Sequence, residues 1–379
     1  MLSRRIVILA FTALTAVSCI YSFDPDIESD AGGLVVEGDI VIGDTTTVTL
    51  SLIEPLDGTS AGSTSGSVWI EDSEGTVYSP YYDDGDSFEI DLVSAPEDRQ
   101  YRLCVTLDSP VAGGSSTQFA SEWATPQPAP QIDSISYDVD DENFILSLSV
   151  HSEAESGCFR WDYREDWEFH ADFMAEYEFN PEDSSYSYIM GTPENYWCWS
   201  YSTSSQAGIA IAKSTGGERL VNHEFKEIDR TNRKIQTMYS ILVKVRSISE
   251  EDYEFLHAIE VNSTSTGSLT SPDPGKVVGN ISSLDGSDEL VIGYIEVAKL
   301  SSMRLTLSTS MYYTGVVSTA SLFIPEVSED MSLVDYYNMN YRPVYYGDGG
   351  ILWGPKRCVD CVADGGTKNK PSWWPSSNE

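Results

Sequence analysis

Hydrophobic and polar residues alternate with a period of two along much of this chain. Val48, Leu50 and Leu52 interleave with Thr47, Thr49 and Ser51, and Phe88, Ile90 and Leu92 keep the same rhythm, as do Tyr101, Leu103, Val105 and Leu107. Farther along, Phe144, Leu146, Leu148 and Val150 alternate, followed by Phe159, Trp161, Tyr163, Trp167 and Phe169. Tyr239, Ile241, Val243 and Val245 form another stripe, and Met303, Leu305 and Leu307 a last one. Successive side chains of a strand point to opposite faces, so each stripe predicts a half-buried β-strand. Turn formers such as Asp83-Asp84-Gly85-Asp86 separate them. A helical pattern stands out at about 250 to 261. Ser249 can cap it, Asp252 sits at capping-box spacing, and Tyr253, Leu256 and Ile259 or Glu260 lie along one side.

The fold expected is therefore all-β. Residues 34–124 read as an Ig-like or carboxypeptidase-regulatory-like β-sandwich. The run TPQPAP at 125–130 reads as a semi-rigid proline-rich linker, and residues 131–379 as a second, larger β-rich domain with one short helix. Long loops are expected at 170–205 and 325–375, and residues 59–67 (TSAGSTSGS) form a low-complexity loop. Composition agrees with packed β-domains: 41% of residues are hydrophobic and 11% aromatic, too many for a disordered chain.

The N-terminus follows another rule. Arg4 and Arg5 precede a short apolar run, Ile6 to Leu14, and then Ala16-Val17-Ser18-Cys19. This is the layout of a secretory signal at residues 1–18, too short to span a bilayer as a helix. A cysteine directly after a small-residue cleavage site is the arrangement that accepts a diacylglyceryl group, which makes Cys19 the expected lipid anchor. The alternative is an ordinary signal with a coincidental cysteine. Residues 19–33 are polar and acidic and read as a flexible tether. Acyl chains contribute roughly 0.8 kcal/mol per buried methylene, so several chains anchor stably.

Removing residues 1–18, which carry Arg4, Arg5 and no acid, takes the formal charge from −38 to −40. Such a charge repels phosphate backbones, so no nucleic-acid partner is expected.

Candidate chemistry is sparse. Cys358 and Cys361 form a CxxC pair. Structural zinc wants four ligands, and there is no second pair, while His151, His170, His223 and His257 are scattered. A disulfide between Cys358 and Cys361 is the expected use, with Cys104 and Cys158 as a second bridge and Cys198 as the odd thiol. The stripe from Phe159 to Phe169 reads as the inner face of a sheet rather than a sugar platform. Tyr196, Trp197 and Trp199 sit in a loop-like stretch and form the better candidate contact surface. The acidic runs at 83–86 and 138–142 lack EF-hand spacing, so no metal is expected. HExxH, GxSxG and P-loop signatures are absent, leaving no catalytic residue and no cofactor to name.

Several strings, in this order, carry a resemblance: Leu34–Gly38 (LVVEG), Phe159–His170, Tyr239–Val243 running on to Ile248–Tyr253, Gly279–Ile281 before Val291–Tyr294, and Cys358–Cys361 leading to Trp373 and Trp374. Together they resemble the domain-of-unknown-function 4249 (DUF4249) family of Bacteroidota outer-membrane lipoproteins. The resemblance implies an outer-membrane lipoprotein, often encoded near TonB-dependent receptors, and implies no enzyme activity.

The leading expectation is a non-enzymatic cell-envelope lipoprotein: a binding or accessory subunit beside an outer-membrane TonB-dependent transporter, with a glycan or peptide ligand. The alternatives are a free-standing glycan-binding module and a hydrolase with a non-standard site.

Overall fold

The computed structural model describes residues 33–375 apart from 54–64, 112–113, 155, 205–209, 216–218, 265–278, 288 and 317–320. The predicted stripes become strands, and the molecule is built of two β-sandwiches. In the first, one sheet runs β20 (Val291–Ile292), β1 (Leu34–Gly38), β3 (Thr45–Leu52), β7 (Ser87–Asp91), β6 (Tyr82–Asp83). The facing sheet runs β19 (Ile281–Ser283), β9 (Gln118–Ser121), β8 (Tyr101–Leu107), β4 (Gly66–Asp72), β5 (Val77–Tyr78). Val48, Leu50, Phe88, Ile90, Tyr101, Leu103 and Val105 meet in one core between them.

The second sandwich packs the sheet β10 (Gln131–Val139), β11 (Asn143–His151), β17 (Arg219–Asp229) against a larger one. That larger sheet runs β15 (Trp197–Thr203), β12 (Cys158–His170), β18 (Met238–Ile248), β21 (Val297–Ser308), β2 (Ile40–Ile42), and β16 (Ile211–Lys213) also pairs with β12. Phe159, Trp161 and Tyr163 are buried against Phe144, Leu146 and Tyr239, so this stripe is core.

The two sandwiches exchange strands. After β1 the chain crosses at Gly38 and Asp39 and adds β2, parallel to β21, to the larger sheet, before β3 returns it to the first sandwich. In the other direction β19 and β20 complete the first sandwich, with Ile281, Ile295 and Val297 inside its core. The proline-rich segment lies along β21. Gln127 N–H donates to Val297 O at 2.8 Å, and Lys299 N–H donates to Gln127 O at 3.0 Å. Gly293 lets β20 approach, because a Cβ there would stand 2.4 Å from Val36 O.

The stretches expected as long loops hold regular structure. Residues 170–205 include the hairpin β13 (Tyr177–Asn180) and β14 (Ser185–Tyr188), then β15. Residues 325–375 include a short helix (Leu333–Asn338) and the hairpin β22 (Tyr341–Gly347) and β23 (Gly350–Pro355). Their aromatic residues explain why: Trp353 is fully buried, meets Phe179 edge-on at 5.2 Å and donates its indole N–H to Tyr186 Oη at 3.1 Å. The helix expected near 250 to 261 is α1 (Glu250–Thr264).

Candidate functional site

The two faces of β12 have opposite chemistry. Phe159, Trp161, Tyr163 and Trp167 point into the second sandwich, Phe169 packs against the Cys198–Cys361 cluster, and the intervening Arg160, Asp162, Arg164, Asp166 and Glu168 lie on the opposite face. The pairing register sets Arg160 beside Arg246 and Asp162 beside Lys244 on β18. The first sandwich docks on this charged face. Asp39, at the crossover between β1 and β2, accepts from Arg160 Nη1 at 2.9–3.0 Å and from Arg246 Nη2 at 2.7 Å. Arg246 Nη1 reaches Asp162 Oδ2 at 2.9 Å, and Lys244 pairs with Asp44. The Arg246 side chain is 7% exposed and that of Asp39 6%, so the centre of the Arg–Asp–Arg set is buried between the layers.

Helix α1 closes one side of the joint. Ser249 Oγ accepts from Asp252 N–H at 3.1 Å, half of the expected capping box. The other half is missing, because Ser249 N–H and Oγ–H donate to Glu296 Oε2 at 3.2 and 2.8 Å. Asp252 is therefore fully buried, and neither carboxyl oxygen has a hydrogen-bond partner. Burial, then the Asp39 and Glu296 carboxylates, push its pKa up to about 8 against the opposing pull of Arg160 and Arg246. Burial also raises Glu296, against its bonds from Ser249.

The folded state thus keeps a proton on Asp252 that the unfolded chain loses near pH 4, so stability falls as pH rises through the window from about 4 to about 8. A tenfold difference in proton affinity between the two states corresponds to about 1.4 kcal/mol. The expected result is a midpoint of urea unfolding that declines from pH 5 to pH 8 in the wild type and declines much less in Asp252→Asn. Parallel pH profiles for the two proteins would refute the assignment.

Asp252, Phe255, Leu256 and Ile259 follow the i, i+3, i+4, i+7 spacing of one helical face. That face borders a cavity of about 550 Å³ between the sandwiches. Phe255, Leu256, Ile259, Ile292 and Tyr294 make an apolar wall, and Arg160 and Asp162 make the polar one. Arg160 is held on Asp39, so its guanidinium is presented in a set orientation.

The sequence-derived candidates fare differently. Cys19 lies outside the described residues. The cysteine pairing is corrected: the disulfide joins Cys198 to Cys361, with Cα atoms 5.8 Å apart, and Cys104, Cys158 and Cys358 are free. Cys358 does not bridge to Cys361, because Cys358 lies beside Gly354 with its thiol near Asp172, while Cys361 packs with Phe169 and Cys198. Cys104 lies on β8 in the first sandwich and Cys158 at the start of β12 against α1, so no bridge forms between them. Burial pushes both thiols up to about 11, which keeps them protonated and unreactive at neutral pH.

Trp197 and Trp199 belong to a strand rather than a loop. Tyr196 stacks on His170 at 5.0 Å, Trp197 meets the same ring edge-on at 5.2 Å, and Trp199 bridges to Thr367. All three residues are half-buried.

Sequence reasoning missed Asp39, Arg160, Arg246, Asp252 and Glu296. The alternation of Arg160, Asp162, Arg164 and Asp166 out of phase with the aromatics was a legible signal of a charged face, but not of its partner. It also missed Glu165, which occupies an inward position of the aromatic stripe. There Lys234 Nζ at 2.5 Å, Ser202 Oγ at 2.8 Å and Tyr239 Oη at 2.9 Å surround its carboxylate. Burial opposes its ionisation, but Lys234 and Lys226 hold the pKa below the ordinary value.

Among the described residues no group of three or more His, Cys, Asp or Glu side chains is placed to hold a metal ion. No curated protein matches the chain. The model of one family, a domain of unknown function, matches residues 20–304, which include both sandwiches except the end of β21, α1 and the cavity lining, but not the CxxC segment. The chain accordingly belongs to that family, DUF4249.

Proposed function

We propose that the chain is a non-enzymatic binding subunit of the cell envelope, anchored to the outer membrane by a lipid on Cys19, which receives a small amphipathic ligand beside a TonB-dependent transporter. The observation that carries the binding role is the cavity between the two sandwiches. Its volume of about 550 Å³ lies within the range of small-ligand sites, and it combines an apolar wall with a few oriented polar groups. An apolar ligand body would lie on Phe255, Leu256 and Ile259, and a polar head would meet Arg160 and Asp162. The signal-like segment ending at Cys19 and the acidic tether at 19–33 support the anchor, and the family resemblance supports the transporter partner.

The test is recovery of the tagged full-length protein from gently solubilised outer membrane, with and without Cys19→Ala, followed by identification of co-purifying protein and small molecules. A stoichiometric β-barrel receptor with the wild type, and release of the Cys19→Ala chain from the membrane fraction, are expected. An apolar adduct that disappears in Ile259→Trp, which fills the cavity, is expected as well. The chain recovered alone from intact membranes would remove the transporter role, and a cavity empty in both proteins would remove the ligand.

A further inference from the structure

The outer face of the larger sheet continues past Asp162 into a second arrangement. The strand registers place Thr203, Arg164, Leu242 and Arg304 in one row across four strands, and Tyr201, Asp166, Ser240 and Thr306 in the next. Asp166, only 2% exposed, is the centre of this array. Its Oδ1 accepts from Arg164 Nε at 3.0 Å and Nη2 at 2.9 Å, and its Oδ2 accepts from Arg304 Nη1 at 3.2 Å. Each guanidinium in turn lies over an aromatic ring, Arg164 at 4.5 Å from the Tyr201 centroid and Arg304 at 3.6 Å from the Trp373 centroid.

One buried carboxylate thus orients two guanidinium groups, and each guanidinium holds a ring that remains in contact with solvent. Tyr201 is 60% exposed and Trp373 41%. Arg164 also belongs to a shallow trough of about 250 Å³ with Asp162, Leu242 and Lys244. Arg164 and Arg304 stand two strands apart, roughly 9.5 Å at ordinary strand spacing. The two rings can therefore address different units of one extended ligand.

The chemistry favours a neutral, hydroxyl-rich chain. The cations of the array are neutralised locally by Asp166, Asp162 and Asp44, so the face offers donors and acceptors side by side with little net charge. The rest of the surface is strongly acidic and repels anionic polymers. The apolar C–H face of a pyranose ring packs on an aromatic platform, and its rim of hydroxyls suits alternating Arg and Asp groups. We propose that this face binds a neutral oligosaccharide, with Tyr201 and Trp373 as stacking platforms and Arg164, Asp162 and Lys244 as hydroxyl partners. This face borders the cavity beside α1 and shares Asp162 with it, but its two stacking rings lie outside that cavity.

The test is affinity electrophoresis and calorimetric titration of the mature chain against soluble dextran, mannan, xylan and laminarin. Binding of at least one of these neutral polysaccharides is expected, persisting in 1 M NaCl. Tyr201→Ala and Trp373→Ala should each weaken it at least tenfold with little change in thermal midpoint, because both rings are exposed. Ile259→Trp in the cavity should leave it unchanged. Absence of binding to all four polymers, or a Tyr201→Ala/Trp373→Ala double variant that binds as tightly as the wild type, would overturn the proposal.

Discussion

Arg246→Ala is expected to destabilise the protein by about 3–5 kcal/mol, the usual consequence of removing one partner from a buried ionic set. Arg246 is the group that touches both layers: it donates to Asp39 of the crossover at 2.7 Å and to Asp162 of β12 at 2.9 Å. Without it, Asp39 retains Arg160, but Asp252 loses one of its nearby cations while the Asp39 and Glu296 carboxylates remain. The Asp252 carboxyl must then hold its proton to still higher pH or ionise with less compensation. The loss should therefore be larger at pH 8 than at pH 5.5. Urea unfolding at the two pH values measures it, and a loss below about 1 kcal/mol at pH 8 would show that the joint contributes little.

Cys198→Ser should have an effect of similar size, about 2–5 kcal/mol, because the bridge joins residues 163 positions apart and the constraint on the unfolded chain grows with loop length. Its structural consequence should be local. The bridge ties the segment after β23 to β15, and that segment also rests on Trp199 through Thr367 and on Glu168 through the Trp374 indole at 3.2 Å. Loss of the covalent link should expose residues near 358–375 to protease before the sandwiches unfold. Reduction of the wild type should reproduce the result, and Cys358→Ser should leave both the bridge and protease resistance intact. A protease-sensitive Cys358→Ser variant beside a resistant Cys198→Ser variant would return the pairing to Cys358 and Cys361.

Both predictions concern contacts distant in sequence, which is why neither is legible there. The CxxC spacing suggests a local bridge. In the folded protein Cys361 meets Cys198 because β15 brings the latter beneath the C-terminal turn, and the Cys358 thiol lies near Asp172 instead. The spacing from Ser249 makes the Asp252 carboxyl half of a capping box. Glu296 takes its place on Ser249, leaving Asp252 buried and protonated. The aromatic run at 196–199 suggests an open surface, whereas the exposed rings on that face are Tyr201 and Trp373.

What the sequence determined by itself was the local periodic structure and the family. Period-two alternation dictates strand and inward face wherever one side of a strand must be buried, so Val48, Leu50, Phe88, Ile90, Leu146, Tyr239 and Ile241 fall in the cores expected of them. The capping signal at Ser249 likewise marked the start of α1. Only the tertiary structure decided which sheets exchange strands, where Asp39 meets Arg160 and Arg246, and which cysteines pair. A side-chain period reports which face of a strand is buried and carries no record of what covers the other face. On β12 that cover is another part of the chain, delivered by crossovers at residues 38–45 and 281–297.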